Sequence, residues 1–118
     1  MPSSFTSLVD TFLNEEYEDS PTLASSLGLT EYDERLDDTS AASFQRRIES
    51  DNSWHGRFAS VPDAELDAQQ RVDRDLLVSV LRGRQLVRPL EMWRRQPATY
   101  LNPGLNGVFS LFLHRLRP

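Results

Sequence analysis

Pro62-Asp-Ala-Glu-Leu-Asp-Ala-Gln-Gln-Arg71-Val-Asp-Arg-Asp-Leu-Leu-Val-Ser-Val-Leu81-Arg-Gly-Arg-Gln-Leu-Val-Arg-Pro89-Leu-Glu-Met-Trp-Arg-Arg-Gln-Pro97 is the stretch whose reading decides the fold. Val72, Leu76, Val80, Val87 and Leu90 recur at steps of three, four and seven residues. At 3.6 residues per turn they form one apolar stripe, with Gly83 on the same line. Ser60 is positioned to cap the start, Pro62 suits a first helical turn, and Pro97 stops the run. The spacing therefore predicts one long helix over residues 61–96, spanning roughly 50 Å. Pro89 lacks an amide hydrogen and crowds the carbonyl of Gln85, so a kink is expected near 85–89. Asp73 and Gln69 project close to the stripe. A carboxylate there is costly unless paired, which gives Asp73 a structural polar role with an arginine or backbone partner. Glu91 is spaced to pair with Arg95 or Arg88.

Working towards the N-terminus, Phe5, Leu8, Val9, Phe12, Leu13 and Tyr17 share one face of a helix over about 4–18. Glu15, Glu16, Glu18 and Asp19 crowd its C-terminal end, where the helix dipole disfavours negative charge. Either basic groups lie nearby or that end is solvated. Ser20 and Pro21 open a short helix over 20–27, which Gly28 closes in the left-handed region. Residues 29–38 have no clean period and read as an ordered loop. Tyr32, Asp33 and Arg35 either line a cleft or serve locally, Asp33 capping a turn and Arg35 pairing with an acid. Thr39 or Ser40 caps a helix over 39–59, with Ala41, Phe44, Ile48, His55 and Phe58 along one side and Trp54 beside them.

Working towards the C-terminus, Asn102-Pro103-Gly104 marks a turn, and Tyr100 and Asn102 are further candidates for the cleft. The last helix, over 105–116, carries Leu105, Val108, Phe109, Leu111, Phe112, Leu113 and Leu116 around most of its circumference. A helix apolar all round wants burial on every side. Three short helices and one long one cannot wrap it. Leu105, Val108, Phe109, Phe112 and Leu116 are therefore the expected partner-binding face, meeting either a missing C-terminal portion of a larger protein or a second copy. The expected fold is all-α: a helical bundle or hairpin with one long kinked helix, forming an incomplete part of a larger helical protein.

Composition bounds the function. The chain has 118 residues, a net charge of −5 and 38% hydrophobic residues, enough for one modest domain. Its mean hydropathy of −0.52 is polar without compelling disorder. Residues 1–61 hold 12 acidic and 4 basic groups, and residues 62–118 hold 6 and 9, so the halves are expected to pack with complementary fields. A nucleic-acid surface is disfavoured because the arginines alternate with acids and the pI is about 4.9. Without cysteine there is neither disulfide nor thiolate metal site. No signal segment or membrane-length apolar run is visible, which makes the cytoplasm the expected location. His55 and His114 lack the spacing of a metal motif, and no nucleophile elbow, phosphate loop or His-Glu-x-x-His pair occurs.

The order of segments resembles a known family. Tyr32-Asp-Glu-Arg-Leu-Asp-Asp38, Arg71-Val-Asp-Arg-Asp-Leu-Leu77 and Arg88-Pro-Leu-Glu-Met-Trp-Arg-Arg-Gln-Pro-Ala-Thr-Tyr100, followed by Pro103-Gly-Leu-Asn-Gly-Val-Phe109, are similar to the N-terminal part of the bacterial domain of unknown function 885 family. The resemblance runs from about Phe5 onward. It implies longer, largely helical relatives with a downstream His-Glu-x-x-Pro-Gly-His motif, in which two His and an acidic residue would bind zinc and the Glu would activate water. That motif is absent here, so the resemblance assigns no catalytic, metal or cofactor residue to this chain. What it implies is a helical scaffold or cleft wall of a metal-dependent hydrolase, with the chain alone inactive. The competing reading is a freestanding helical module that binds a partner through residues 105–116.

Overall fold

The computed structural model describes residues 4–101 and 105–114, which are helices and connecting turns with no strand among them. Helix α1 runs Ser4–Asp19 and α2 runs Pro21–Ser26. After a 3-10 turn at Thr30–Tyr32 comes α3, Ala41–Ala59. A second 3-10 turn, Asp63–Glu65, precedes α4, Ala68–Val87. The short helices α5, Met92–Arg95, and α6, Ala98–Tyr100, lead to α7, Asn106–His114. The expected all-α architecture is what the chain adopts, with a bent helical run as its longest part.

The caps explain where the elements begin. Ser40 accepts from the Ser43 amide at 3.1 Å and starts α3 as expected. Ser20 makes no side-chain cap at α2. Asp37, from the loop, takes that place instead: its Oδ1 accepts from the Thr22 amide at 3.1 Å and from Thr22 Oγ1 at 2.9 Å. Asp37→Ala should therefore cost about 1 kcal/mol, read as a lowered midpoint in urea unfolding, and no change would show the bond to be dispensable. Gly28, at φ +93°, lets the chain turn away behind α2.

The long helix is shorter than its sequence pattern. Ser60 does not cap it; the Ser60 hydroxyl donates to the Arg57 carbonyl at the end of α3. Leu66 is extended, and Asp67 caps α4 through a reciprocal box with Gln70, the amides and side chains meeting at 2.8 and 3.1 Å. At the other end α-helical bonding stops at Arg88, whose amide still reaches the Arg84 carbonyl. Pro89 has no amide to continue it. The chain passes through a 3-10 turn, and Glu91 takes up a left-handed conformation (φ 47°, ψ 50°) before α5. The break expected at Pro89 is there, falling at its C-terminal edge. Glu91 pairs with Arg94 at 3.4 Å, not with the expected Arg95 or Arg88.

The core lies where α1 crosses the α3–α4 hairpin. Phe5, Phe12, Trp54, Phe58, Leu66 and Leu81 are buried, with Leu77 and Val78 packed against them. Phe12, Trp54 and Phe58 meet at centroid distances of 5.3–5.5 Å, and the Trp54 indole donates to Glu15 at 2.6 Å.

This packing corrects the expected rotation of α4. Leu81 is fully buried, whereas Val72, Leu76, Val80, Val87 and Leu90 of the stripe are exposed. The buried side also carries Arg74, Arg84 and Arg88, whose stems pack while their heads reach acids or carbonyls. Asp73 is likewise corrected. It is half-buried, and its partner is neither arginine nor backbone but the Gln69 side chain one turn back, at 2.9 Å.

Candidate functional site

The charged residues between α1, α3 and α4 build the most constrained polar site. Asp51 lies on the inward side of α3 with its side chain 4% exposed. Arg84 reaches it at 3.3 Å and holds Glu16 of α1 through two bonds of 2.7 Å. Arg88, one turn on, places its Nε against the other Asp51 oxygen. The acidic end of α1 thus has basic partners, and the acidic and basic halves of the chain meet through this network. Burial pushes the Asp51 carboxyl up against the opposing pull of Arg88 and Arg84. The Glu16 carboxylate raises Arg84 above the ordinary arginine range, while burial lowers Arg88.

Two cavities meet at Arg88. A polar cleft of about 180 Å³ is lined by Glu16, Asp19, Arg47, Asp51, Arg84 and Arg88, among others. A mainly apolar cavity of about 160 Å³ lies between Phe44 and Ile48 of α3, Val87 and Arg88, and Met92 and Trp93 of α5. The Phe44 and Trp93 rings stack at 5.1 Å with an interplanar angle of 4°. The Trp93 indole nitrogen is buried and bonds to nothing among the described residues. Arg47 NH2 donates to the backbone carbonyls of Asp19 at 2.6 Å and Asp38 at 3.3 Å, and forms no ion pair with a described carboxylate.

The sequence-derived candidates fall elsewhere. Tyr32, Asp33 and Arg35 come together, but their polar groups tie the loop to α1 and α2. Tyr32 and Arg35 bond Glu18 at 3.0 and 2.7 Å, and Asp33 accepts from Ser25 at 2.6 Å. These bonds hold the Glu18 carboxyl below its usual range, Arg35 contributing most. Tyr100 sits apart from them, its ring edge-on to Phe44 at 6.4 Å. Asn102 and Leu116 lie outside the described residues. His55 is half-buried in α3. Among the described residues no group of three or more His, Asp or Glu is placed to hold a metal ion.

The apolar face expected on the last helix is outward in its described part. Leu105, Val108, Phe109, Phe112 and Leu113 are exposed. α7 meets the body through Gly107, where an added Cβ would stand 2.9 Å from the Thr22 methyl. Leu23 and Leu27 of α2 are exposed as well. Sequence reasoning missed Asp51, Arg47, Arg84 and Arg88. Asp51 lies three residues before Trp54 and seven before Phe58, on their face of the helix, and that spacing was the available signal.

No helix among the described residues is long and apolar enough to cross a membrane. No family model, curated protein or solved structure matches the chain.

Proposed function

We propose that this chain is a helical scaffold segment that seats further helices of a larger helical protein on the outward side of α4. The observation that carries the proposal is the exposed stripe. Leu76 is 61% exposed, Val72 60% and Val80 44%, and Val87 continues the line to the end of the helix. Contiguous apolar exposure on this scale marks a surface made to be covered. The overall shape supports it. The radius of gyration is 16.2 Å and the extents are 45 × 40 × 19 Å. A compact chain of this length has a radius of about 13–14 Å. The accessible surface is 7977 Å², against roughly 6,500 Å² for a compact monomer of this mass. The excess exceeds the roughly 800 Å² that one partner contributes to a standard interface.

The occupant that fits is helical. An apolar ridge along one helix, with Gly83 exposed towards its C-terminal end, is the surface on which a second helix packs closely. In the setting implied by the resemblance, the occupant is the remainder of a hydrolase-like helical protein and this chain is one wall of its cleft. Alone, the chain should self-associate in sedimentation velocity and bind an apolar dye. Leu76→Glu combined with Val80→Glu should return it to a monomer of unchanged helix content. A wild-type chain that stays monomeric at high concentration and binds little dye would sink the reading.

A further inference from the structure

The cavity at the α4–α5 junction shares Val87 with the exposed stripe, and its other walls have features that the scaffold role does not use. Its walls are apolar and aromatic, set by Phe44, Ile48, Val87, Met92 and the stacked Trp93. Its volume of about 160 Å³ has room for a benzene ring, and it opens to solvent where Val87 and Met92 are exposed. Such a site would bind any small apolar molecule, were it not for Arg88.

Arg88 lines both this cavity and the polar cleft beside it. Asp51 faces its Nε, and no hydrogen bond engages its two terminal nitrogens among the described residues. A guanidinium held by Nε presents the remaining fork in a fixed orientation, which matches a carboxylate bidentately. The surrounding charges are matched, so it is the free donors of Arg88 that select an acceptor. Glu16 and Asp51 offset Arg84 and Arg88, and Asp19 and Asp38 lie 3.8 and 3.9 Å from Arg46. Arg47 lines the same cleft, bonds to neutral carbonyls and lies over the Phe44 ring at 5.6 Å. The wall holds one more unmatched donor, the buried Trp93 indole N–H.

We propose that this junction binds a small aromatic carboxylate, its ring between Phe44, Ile48 and Met92 and its carboxylate on the Arg88 fork beside Arg47. The ring accounts for the size and lining of the cavity. The carboxylate accounts for the open Arg88 fork and the unmatched Trp93 donor.

Saturation-transfer NMR on the full chain at micromolar concentration tests this with phenylacetate, phenylacetamide and acetate. Phenylacetate should give saturable transfer to its ring protons, at least tenfold tighter than phenylacetamide, and acetate should not compete at equal concentration. Arg88→Gln should abolish the preference for the acid over the amide while leaving ring binding in place. The proposal is overturned if acid and amide bind alike, if neither binds, or if Arg88→Gln keeps the preference. Should that variant fail to fold, the acid–amide comparison on the wild-type chain decides alone.

Discussion

Asp51→Ala should destabilise the fold by about 3 kcal/mol. Asp51 is nearly inaccessible, and its two oxygens face two guanidiniums. Removing it leaves Arg88 without a counter-charge and Arg84 dependent on Glu16 alone. Arg88 keeps 25% side-chain exposure, so water can recover part of its solvation, which places the effect at the lower end of the range for broken buried pairs. Asp51→Asn retains an acceptor without the charge and should cost about half as much. The measurement is urea unfolding followed by far-UV circular dichroism. Equal stability for wild type and Asp51→Ala would mean that the arginines are satisfied without it, and that the network does not hold α4 against α1 and α3.

That network accounts for what the sequence could and could not yield. Periodicity is a local property, and the elements that depend on it were legible: α1 from its Phe and Leu spacing, α3 from the Ser40 cap, and the break at Pro89. The rotation of α4 depends on residues far away in the chain. Its sequence offers two usable faces, the Val72–Leu76–Val80–Val87 stripe and the side of Leu77, Leu81, Arg84 and Arg88. Hydropathy alone favours the first. The second packs inward because Glu16 and Asp51 wait there for the arginines, 68 and 33 residues away in sequence from Arg84. A carboxylate on α3 reads as solvent-facing until its partner is known. The α2 cap was hidden in the same way, since Asp37 lies 15 residues from Thr22. The candidate site was less legible than the fold, because a cavity walled by Phe44 and Trp93 exists only once the chain has turned at Glu91.

Leu81→Ala and Leu76→Ala place the two faces of α4 in direct competition. Both replace leucine by alanine within one helix, so intrinsic helix preference changes equally and only the surroundings differ. Leu81 is 0% exposed and belongs to the cluster with Trp54 and Phe58; Leu76 is 61% exposed. Truncating Leu81 removes buried methyl groups and opens a cavity that aromatic neighbours cannot fill by small shifts, at a cost of about 2–5 kcal/mol. Truncating Leu76 removes groups already in water and should change stability by less than about 0.5 kcal/mol. The pair is best measured on the monomeric state, at protein concentrations low enough that α4 faces do not associate, since an associated Leu76 would acquire a burial it lacks alone. At higher concentration the ordering should narrow, because Leu76→Ala would then also lose partner contacts. A larger loss at Leu76 than at Leu81 under dilute conditions would mean that the stripe, and not the arginine-bearing side, faces the core. The scaffold surface proposed on α4 would fall with it.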